Sequence, residues 1–175
     1  MKPKLHYFSI AAVFFFAYSY IFLAYFYFQH NEKTLAPTIE NILPRSAEKV
    51  TRIIDGDTFE IEGGIKVRLI GVDTPEMKNK NKTIDCFASE AKKKTEELLT
   101  GKEVVLEKDV SETDKYGRLL RYVYVGDKMI NNLLVLEGYA RISTFPPDVK
   151  YKDLFLESER SARNAKAGLW SSCKI

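Results

Sequence analysis

The chain has 175 residues, with 27 Lys and Arg against 24 Asp and Glu and a formal net charge of +3. This length suits one domain with a core of its own and little more. Residues 1–30 hold two of the lysines and none of the acidic residues, so the remainder is nearly neutral. This balance excludes a protein that coats nucleic acid by charge alone.

Residues 1–30 are predicted to form a membrane-directed helix. Lys2 and Lys4 precede an uncharged run from Tyr7 to Gln29, which is long enough to cross a bilayer. Positive charge before the run predicts that this end stays in the cytoplasm. The run is either a transmembrane anchor or a cleavable signal peptide. Both alternatives predict a domain outside the cytoplasm.

Residues 31–47 are predicted to be a linker, because they contain Pro37, Pro44 and no sustained periodicity. From residue 48 the pattern changes to short β segments. Residues 48–175 are therefore predicted to form the one domain of the chain.

Alternating apolar residues and turn signals predict five strands, and helical periodicity with terminal glycines predicts three helices. The strands span residues 50–54, 58–62, 65–72, 103–110 and 118–125, and the helices span 87–99, 129–137 and 149–166. Asp148 is the predicted N-cap of the last helix. Five short strands with a helix between the third and the fourth are the order expected of an OB-fold barrel. The predicted class is α+β, mainly β, with the N-terminal helix in front.

The two cysteines, Cys86 and Cys173, stand far apart and outside any CxxC pair, which disfavours a zinc site. They either form one disulfide that joins the loop before the first helix to the C-terminus, or remain free thiols. Export of the domain favours the disulfide.

Acidic residues gather in two turn sequences, Asp-Gly-Asp-Thr at 55–58 and Asp-Thr-Pro-Glu at 73–76. Each alone is also an ordinary tight turn. Gathered carboxylates repel unless a cation or a proton lies among them. If the strand ends are adjacent, Asp57, Asp73 and a main-chain carbonyl can share a hard cation such as calcium or magnesium. Glu76 can then accept a proton from metal-associated water.

Two arginines, Arg68 and Arg118, lie on strands that lead into or follow these turns. A guanidinium is a planar fork that fits two phosphate oxygens. A pair of them can stabilise the charge on a five-coordinate phosphorus. The alternative for each is a surface ion pair with a neighbouring Asp or Glu.

Taken in order, these motifs resemble the staphylococcal nuclease family. The matching segments are Asp-Gly-Asp-Thr at 55–58, Arg68, Val-Asp-Thr-Pro-Glu at 72–76, Ser-Glu-Ala at 89–91, Asp-Lys-Tyr-Gly-Arg at 114–118 and Gly-Leu-Trp at 168–170. The resemblance covers about residues 48–170. It implies an OB-fold barrel and a calcium-dependent phosphodiesterase that acts on DNA and RNA and leaves a 3′-phosphate.

The resemblance also implies roles for single positions. The calcium ligands would be Asp57 and Asp73 through their side chains and Thr74 through its main-chain carbonyl. Glu76 would activate or orient the attacking water, and Asp55 would have a supporting place near the metal.

For the substrate, the resemblance implies that Arg68 and Arg118 clamp the phosphate. Lys115 and Tyr116 resemble residues that contact a neighbouring phosphate.

The chain departs from the family at the nucleotide pocket. The best-known member has two tyrosines there, where this chain has Thr144 and Pro146. Phe145, between them, offers a replacement stacking surface.

A different class of function, a non-catalytic binding module, is also compatible with an OB-fold. The metal and phosphate positions of the family are all intact here, which favours the nuclease. A monomer is the default expectation, with DNA or RNA, preferably unpaired, as the substrate.

Overall fold

The computed structural model describes residues 21–23, 25–26, 47–77 and 83–174. Residues 21–23 and 25–26 are helical and exposed. The rest of the predicted N-terminal helix, 1–30, and almost all of the predicted linker lie outside these ranges. No helix within the described ranges is long and apolar enough to cross a membrane. Contacts divide the chain after Pro44, and the unit that follows is described below.

This unit is built from short strands with helices between and after them. The strands are β1 Ala47–Asp55, β2 Thr58–Ile61, β3 Ile65–Leu69, β4 Gly71–Asp73, β5 Glu103–Glu107, β6 Leu119–Val125, β7 Lys128–Met129 and β8 Arg141–Ser143. The helices are α1 Ala88–Leu99, α2 Ile130–Leu136, α3 Lys152–Asn164 and α4 Leu169–Ser172, and a 3-10 turn over Glu62–Gly64 joins β2 to β3.

Five strands close into a barrel. They follow the order β3-β2-β1-β5-β6, and a parallel pairing of β3 with β6, with Val67 opposite Leu119, closes the circle. The pairs β1–β2, β2–β3, β1–β5 and β5–β6 are antiparallel. The barrel predicted from the order of elements is therefore confirmed. The prediction of three helices misses α4, a single turn that ends the described chain.

The barrel is filled by the inward-facing side chains of its strands, which alternate with outward-facing ones. Those that are almost fully buried include Val50, Phe59, Val67, Leu69, Val104 and Val123. Helix α2 adds Ile130, Leu134 and Val135, and α3 adds Phe155. Burying each such side chain contributes about 1.5–3 kcal/mol, so this core holds the strand ends at which the polar residues lie.

The single strand predicted over 65–72 is wrong, because the chain breaks at Ile70. The Ile70 N–H donates to the Arg121 carbonyl (3.0 Å), and the Ile70 carbonyl accepts from Asn131 Nδ2 (2.9 Å). Gly71 then adopts a φ of +78°, and a Cβ there would lie 2.6 Å from a ring carbon of Phe155. The break turns β4 away from the barrel to pair with β8, and Asp73, the last residue of β4, lies beside Arg68.

The predicted N-cap is also wrong. Helix α3 begins at Lys152, and its N-cap position is Tyr151. The Asp148 carboxylate instead accepts hydrogen bonds from the N–H groups of Val110 (3.0 Å) and Ser111 (2.8 Å). Asp148 therefore joins the loop after β5 to the loop after β8. The strand predicted to end at residue 110 ends at Glu107 instead.

Replacing Asn131 with Ala is expected to lower the free energy of unfolding by about 2–6 kcal/mol. Asn131 is fully buried, and it accepts from the Val123 N–H (2.9 Å) and donates to the Ile70 carbonyl (2.9 Å). Each buried backbone group left unpaired costs about 1–3 kcal/mol. Urea unfolding measures the loss. Asn132→Ala is the control, since Asn132 is only half-buried, and an equal loss in both variants would contradict the assignment.

Candidate active site

The turn after β1 places Asp57 against the end of β4. Asp57 is buried, and its Oδ2 accepts hydrogen bonds from the Thr74 N–H (3.0 Å) and the Thr74 hydroxyl (3.2 Å). Gly56 allows this approach, because a Cβ there would lie 2.6 Å from Thr74 Oγ1. The two acidic turn sequences therefore meet through Asp57 and Thr74, which are 17 residues apart in the chain.

Arg68 lies between the two carboxylates. Its Nη2 is 3.2 Å from Asp57 Oδ2 and 3.0 Å from Asp73 Oδ1. Its Nη1 donates to the carbonyls of Leu69 and Val72, both at 2.7 Å. The guanidinium is thus held by four oxygens in a fixed orientation, with its side chain only 15 % exposed.

Arg118, the residue before β6, reaches the same place. Its Nε donates to Asp114 Oδ2 (2.7 Å), and its Nη1 donates to Thr58 Oγ1 (3.2 Å). The Thr58 hydroxyl in turn donates to Asp57 Oδ1 (3.0 Å). Burial raises the pKa of the Asp114 carboxyl, but the hydrogen bonds and charge of Arg118 hold it below its ordinary value. Arg68 and Arg118 therefore flank Asp57, and the ion pairs that they form orient both guanidinium groups toward the site.

Negative charge is concentrated in the site. Partial burial raises the pKa of Asp73, and the charge on Asp57 raises it further, against the opposing charges of Arg68 and Arg141. The pKa of Asp55 is also raised, by burial first; a hydrogen bond from the Gly56 N–H lowers it, and the charge on Asp57 raises it. A bound cation would stabilise these carboxylates in their charged forms.

The donor set fits a hard cation. The carboxylates of Asp57 and Asp73 contact the same nitrogen of Arg68, so they face one point, and carboxylate and carbonyl oxygens are the ligands that calcium and magnesium prefer. The described residues contain no cluster of three or more His, Cys, Asp or Glu side chains arranged to hold a metal. Two carboxylates with a main-chain oxygen would leave several coordination positions for water and substrate.

Glu76 follows this turn and is exposed. Its backbone pairs with Asp85: the Glu76 N–H donates to Asp85 Oδ2 (3.1 Å), and the Asp85 N–H donates to the Glu76 carbonyl (3.0 Å). Glu76 lines a cleft of about 380 Å³ together with Asp73, Thr74 and Asp85. The structure thus places the Glu76 side chain in the same cleft as Asp73 and Thr74.

A second cleft, of about 290 Å³, is lined by Arg68, Arg118 and Phe145 among other residues. Phe145 is 73 % exposed. Tyr116 is 72 % exposed and lies beside Arg118, whose Cζ is 5.5 Å from the ring centroid. Lys115 Nζ lies 5.1 Å from the same ring. Exposed aromatic rings beside guanidinium groups are suited to stacked bases and phosphates.

Three residues of the site were not singled out by the sequence. Thr58 belongs to the first acidic motif, but only the fold shows that it links Arg118 to Asp57. Asp114 opens the motif at 114–118 and orients its arginine. Asp85 has no local signal at all, because its partner, Glu76, is nine residues earlier in the chain.

The remaining predicted pair, Cys86 and Cys173, forms a disulfide in the structure, with the Cα atoms 5.9 Å apart. The bond lies at the edge of the cleft that Glu76 lines.

Comparison with known proteins gives consistent matches. The family model described as staphylococcal nuclease homologue matches residues 66–172. A thermonuclease of Staphylococcus hyicus is 39 % identical over 71 % of this chain and 75 % of its own, and one of Staphylococcus intermedius is 41 % identical over 69 % and 74 %. Endonuclease YncB of Bacillus subtilis is 38 % identical over 83 % of this chain and 71 % of its own.

Proposed function

We propose a function from one premise: this chain belongs to the staphylococcal nuclease family. The proposed activity is calcium-dependent hydrolysis of phosphodiester bonds in DNA and RNA, with low sequence specificity and a 3′-phosphate product. One observation carries the proposal: the Arg68 guanidinium contacts both Asp57 and Asp73, and Arg118 joins the same group through Thr58. Two carboxylates and two guanidiniums at one point suit an anionic phosphate with a cation.

The proposed calcium ligands are the carboxylates of Asp57 and Asp73 and the main-chain carbonyl of Thr74. Bound there, calcium would neutralise charge on the phosphate and polarise its P–O bonds. The hydrogen bonds from Thr74 to Asp57 fix the distance between two of these ligands before any metal binds.

The proposed phosphate clamp is formed by Arg68 and Arg118. Both are already oriented by carbonyl or carboxylate partners, so little side-chain entropy is lost when a phosphate binds. As the phosphorus becomes five-coordinate, its oxygens gain charge, and donors aimed at that charge lower the barrier. Lys115 and Tyr116, both exposed beside Arg118, are proposed to contact the next phosphate along the strand.

Glu76 is proposed to activate or orient the attacking water. It takes a proton from the water while the oxygen of that water forms a bond to phosphorus. The bond between phosphorus and the 5′-oxygen breaks, and the leaving oxygen takes up a proton from solvent. The products are a 3′-phosphate on one fragment and a 5′-hydroxyl on the other.

We further propose that the domain works outside the cytoplasm as a monomer. Residues 1–30 would either anchor it to the membrane, with the N-terminus inside, or direct its secretion. The Cys86–Cys173 disulfide supports this location, since such bonds persist in oxidising compartments.

A cleavage assay on the purified full-length chain, in mild detergent, tests the proposal. The substrate is single-stranded DNA or RNA, with calcium, with magnesium, or with a chelator. Cutting that needs calcium, and 3′-phosphate ends on the fragments, is the expected result. Binding of DNA without any cutting would overturn the proposal and favour a binding module.

Phe145→Ala is expected to raise KM for single-stranded DNA by about 5- to 100-fold and to change kcat little. The ring is exposed and lines the same cleft as the two arginines, and one base stacked on an aromatic ring contributes about 1–3 kcal/mol. Steady-state kinetics on a short oligonucleotide measure the change. Phe145→Tyr is the control and should keep KM near its original value; a Phe145→Ala variant with unchanged KM would remove this ring from the binding site.

A further inference from the structure

We propose that Asp85 and the Cys86–Cys173 disulfide act together as a positioning element for Glu76, so that reduction of the disulfide lowers turnover. This inference rests on the proposed nuclease function and adds a regulatory property to it. Four features carry it: a reciprocal backbone clamp, a covalent bond beside the clamp, a fixed support for that bond, and the separate support of the other site residues.

The clamp joins Asp85 to Glu76. The Asp85 carboxylate accepts from the Glu76 N–H (3.1 Å), while the Asp85 N–H donates to the Glu76 carbonyl (3.0 Å). Two hydrogen bonds in opposite directions fix both the peptide before Glu76 and the peptide after it. With Pro75 on the other side restricting the backbone, the direction in which the Glu76 side chain leaves the chain is set.

The disulfide begins one residue after the clamp. Cys86 is bonded to Cys173, which lies 87 residues later in the chain. The Ala88 N–H also donates to the Asp85 carbonyl (3.2 Å) at the start of α1. Asp85 is therefore held between the first turn of a helix and a covalent crosslink, and both act within three residues of it.

The far end of the crosslink rests on the core. Leu169 in α4 is fully buried, its N–H donates to the Gly138 carbonyl (2.9 Å), and its carbonyl accepts from the Cys173 N–H (3.1 Å). A Cβ on Gly168 would lie 2.3 Å from the Gly138 carbonyl oxygen, so the two segments touch through their backbones. Cys173 is thus held against the core, and the disulfide restrains the position of Cys86 relative to it.

The Trp170 ring adds a second support for α4. It packs against the guanidinium of Arg163, 4.1 Å from the ring centroid, and that of Arg141, at 5.7 Å. Such contacts contribute about 0.5–1 kcal/mol or more each. Arg141 is itself held by the pairing of β8 with β4, so this support of α4 does not come from the disulfide.

The other proposed site residues have a different support. Asp57, Arg68 and Arg118 are held by contacts between barrel strands and their turns. Loss of the crosslink is therefore expected to displace Glu76 more than the metal ligands or the phosphate clamp. A displacement of about 1 Å from the reacting atoms costs about 100-fold in rate, so the effect should appear in kcat and leave calcium affinity and KM within about threefold.

The test compares the oxidised full-length chain with the Cys86→Ser/Cys173→Ser double variant and, separately, with Asp85→Ala, which keeps the disulfide. We expect kcat to fall by about 10- to 100-fold in both. Asp85→Glu, which keeps the carboxylate, should recover part of the loss. The same changes made in a Glu76→Gln background should produce no further fall, because a positioning element has no effect once its target is disabled.

Two results would overturn the inference. One is a folded double-cysteine variant, or a folded Asp85→Ala variant, with the kcat of the oxidised chain. The other is an equal fall in the Glu76→Gln background, which would mean that the crosslink acts on another part of the site. Circular dichroism shows whether each variant is folded. The melting temperature of each variant must also lie above the temperature of the assay.

Failure of the proposed function has a different signature. If the oxidised wild-type chain cuts no nucleic acid, the nuclease proposal fails, and the positioning element is tested by amide hydrogen exchange instead. The Glu76 N–H, which donates to Asp85, should be protected in the oxidised chain and exchange at least about tenfold faster after reduction. Equal exchange rates in the two states would overturn the positioning role itself.

Discussion

Arg118→Ala is expected to lower kcat by about 100- to 1000-fold, the usual loss when one donor to a charged transition state is removed. The guanidinium is pre-set by Asp114 on its Nε and by Thr58 on its Nη1. An alanine removes both the charge and the fork, and among the described residues Asp114 forms an ion pair with Arg118 alone. Single-turnover cleavage of a labelled oligonucleotide, at saturating calcium, measures the change.

Arg118→Lys separates charge from geometry. A lysine keeps one positive charge but loses the planar pair of donors, so we expect most of the loss to remain. Arg121→Ala is the matched control: this arginine lies three residues later, in β6, and pairs with Glu112 instead, and its loss should change kcat by less than about threefold. An Arg118→Ala variant with more than a third of the wild-type kcat would exclude Arg118 from the phosphate clamp.

The unfolding free energy of Arg118→Ala should change far less than its kcat. Asp114 would still accept hydrogen bonds from the N–H groups of Tyr116 (2.8 Å) and residue 118 (3.0 Å). Losing one partner of an ion pair is costly when the other charge is left buried and unpaired. The Asp114 carboxylate keeps these two hydrogen bonds, so that cost does not arise. A large fall in activity with a small fall in stability is the combination expected of a functional arginine.

The barrel was predictable because its signals are local. Alternation of apolar residues marks each strand, and Gly63 and Gly64, both with positive φ, mark the turn between β2 and β3 without reference to the rest of the molecule. The same holds for the acidic turns, since each motif is contiguous. Their meeting, and the place of Arg68 between Asp57 and Asp73, depends on the turn after β1 lying beside the end of β4.

The features that the sequence did not predict depend on partners far along the chain. The break at Ile70 is possible because Asn131, 61 residues later, satisfies its carbonyl. Local sequence preference predicts that Asp148 caps a helix. Its carboxylate instead accepts hydrogen bonds from the N–H groups of Val110 and Ser111. The propensity of a residue for a helix cap reflects only its neighbours in sequence, so it cannot predict a hydrogen bond to a donor far along the chain.

The site holds carboxylates in surroundings that disfavour their charged forms, which costs free energy. The pKa values of Asp55 and Asp73 are raised by burial and by the charge on Asp57, so the folded chain holds these carboxylates in surroundings that disfavour their charge. Such conflicts between a residue and its surroundings concentrate at functional sites. The cost is consistent with a cation that the proposed function requires, and Arg68 offsets part of it in the absence of one.

Glu76→Gln is expected to lower kcat by about 100- to 10,000-fold, the range for removal of a general base. The amide has nearly the same size and can still accept a hydrogen bond from water, but it cannot take up a proton. The backbone clamp to Asp85 uses only main-chain atoms of residue 76, so it should survive the change. Calcium affinity, measured by calorimetric titration, should stay within about threefold, because neither Asp57 nor Asp73 is altered.

The control for Glu76→Gln is Glu62→Gln, the same change at an exposed position in the turn between β2 and β3. That turn is at the opposite end of β2 from Asp57, so kcat should be unchanged. Glu76→Asp, which keeps the base but draws it back by one methylene, should fall between the wild type and Glu76→Gln. A fully active Glu76→Gln chain would remove Glu76 from the mechanism, and with it the reason for Asp85 and the disulfide to position that residue.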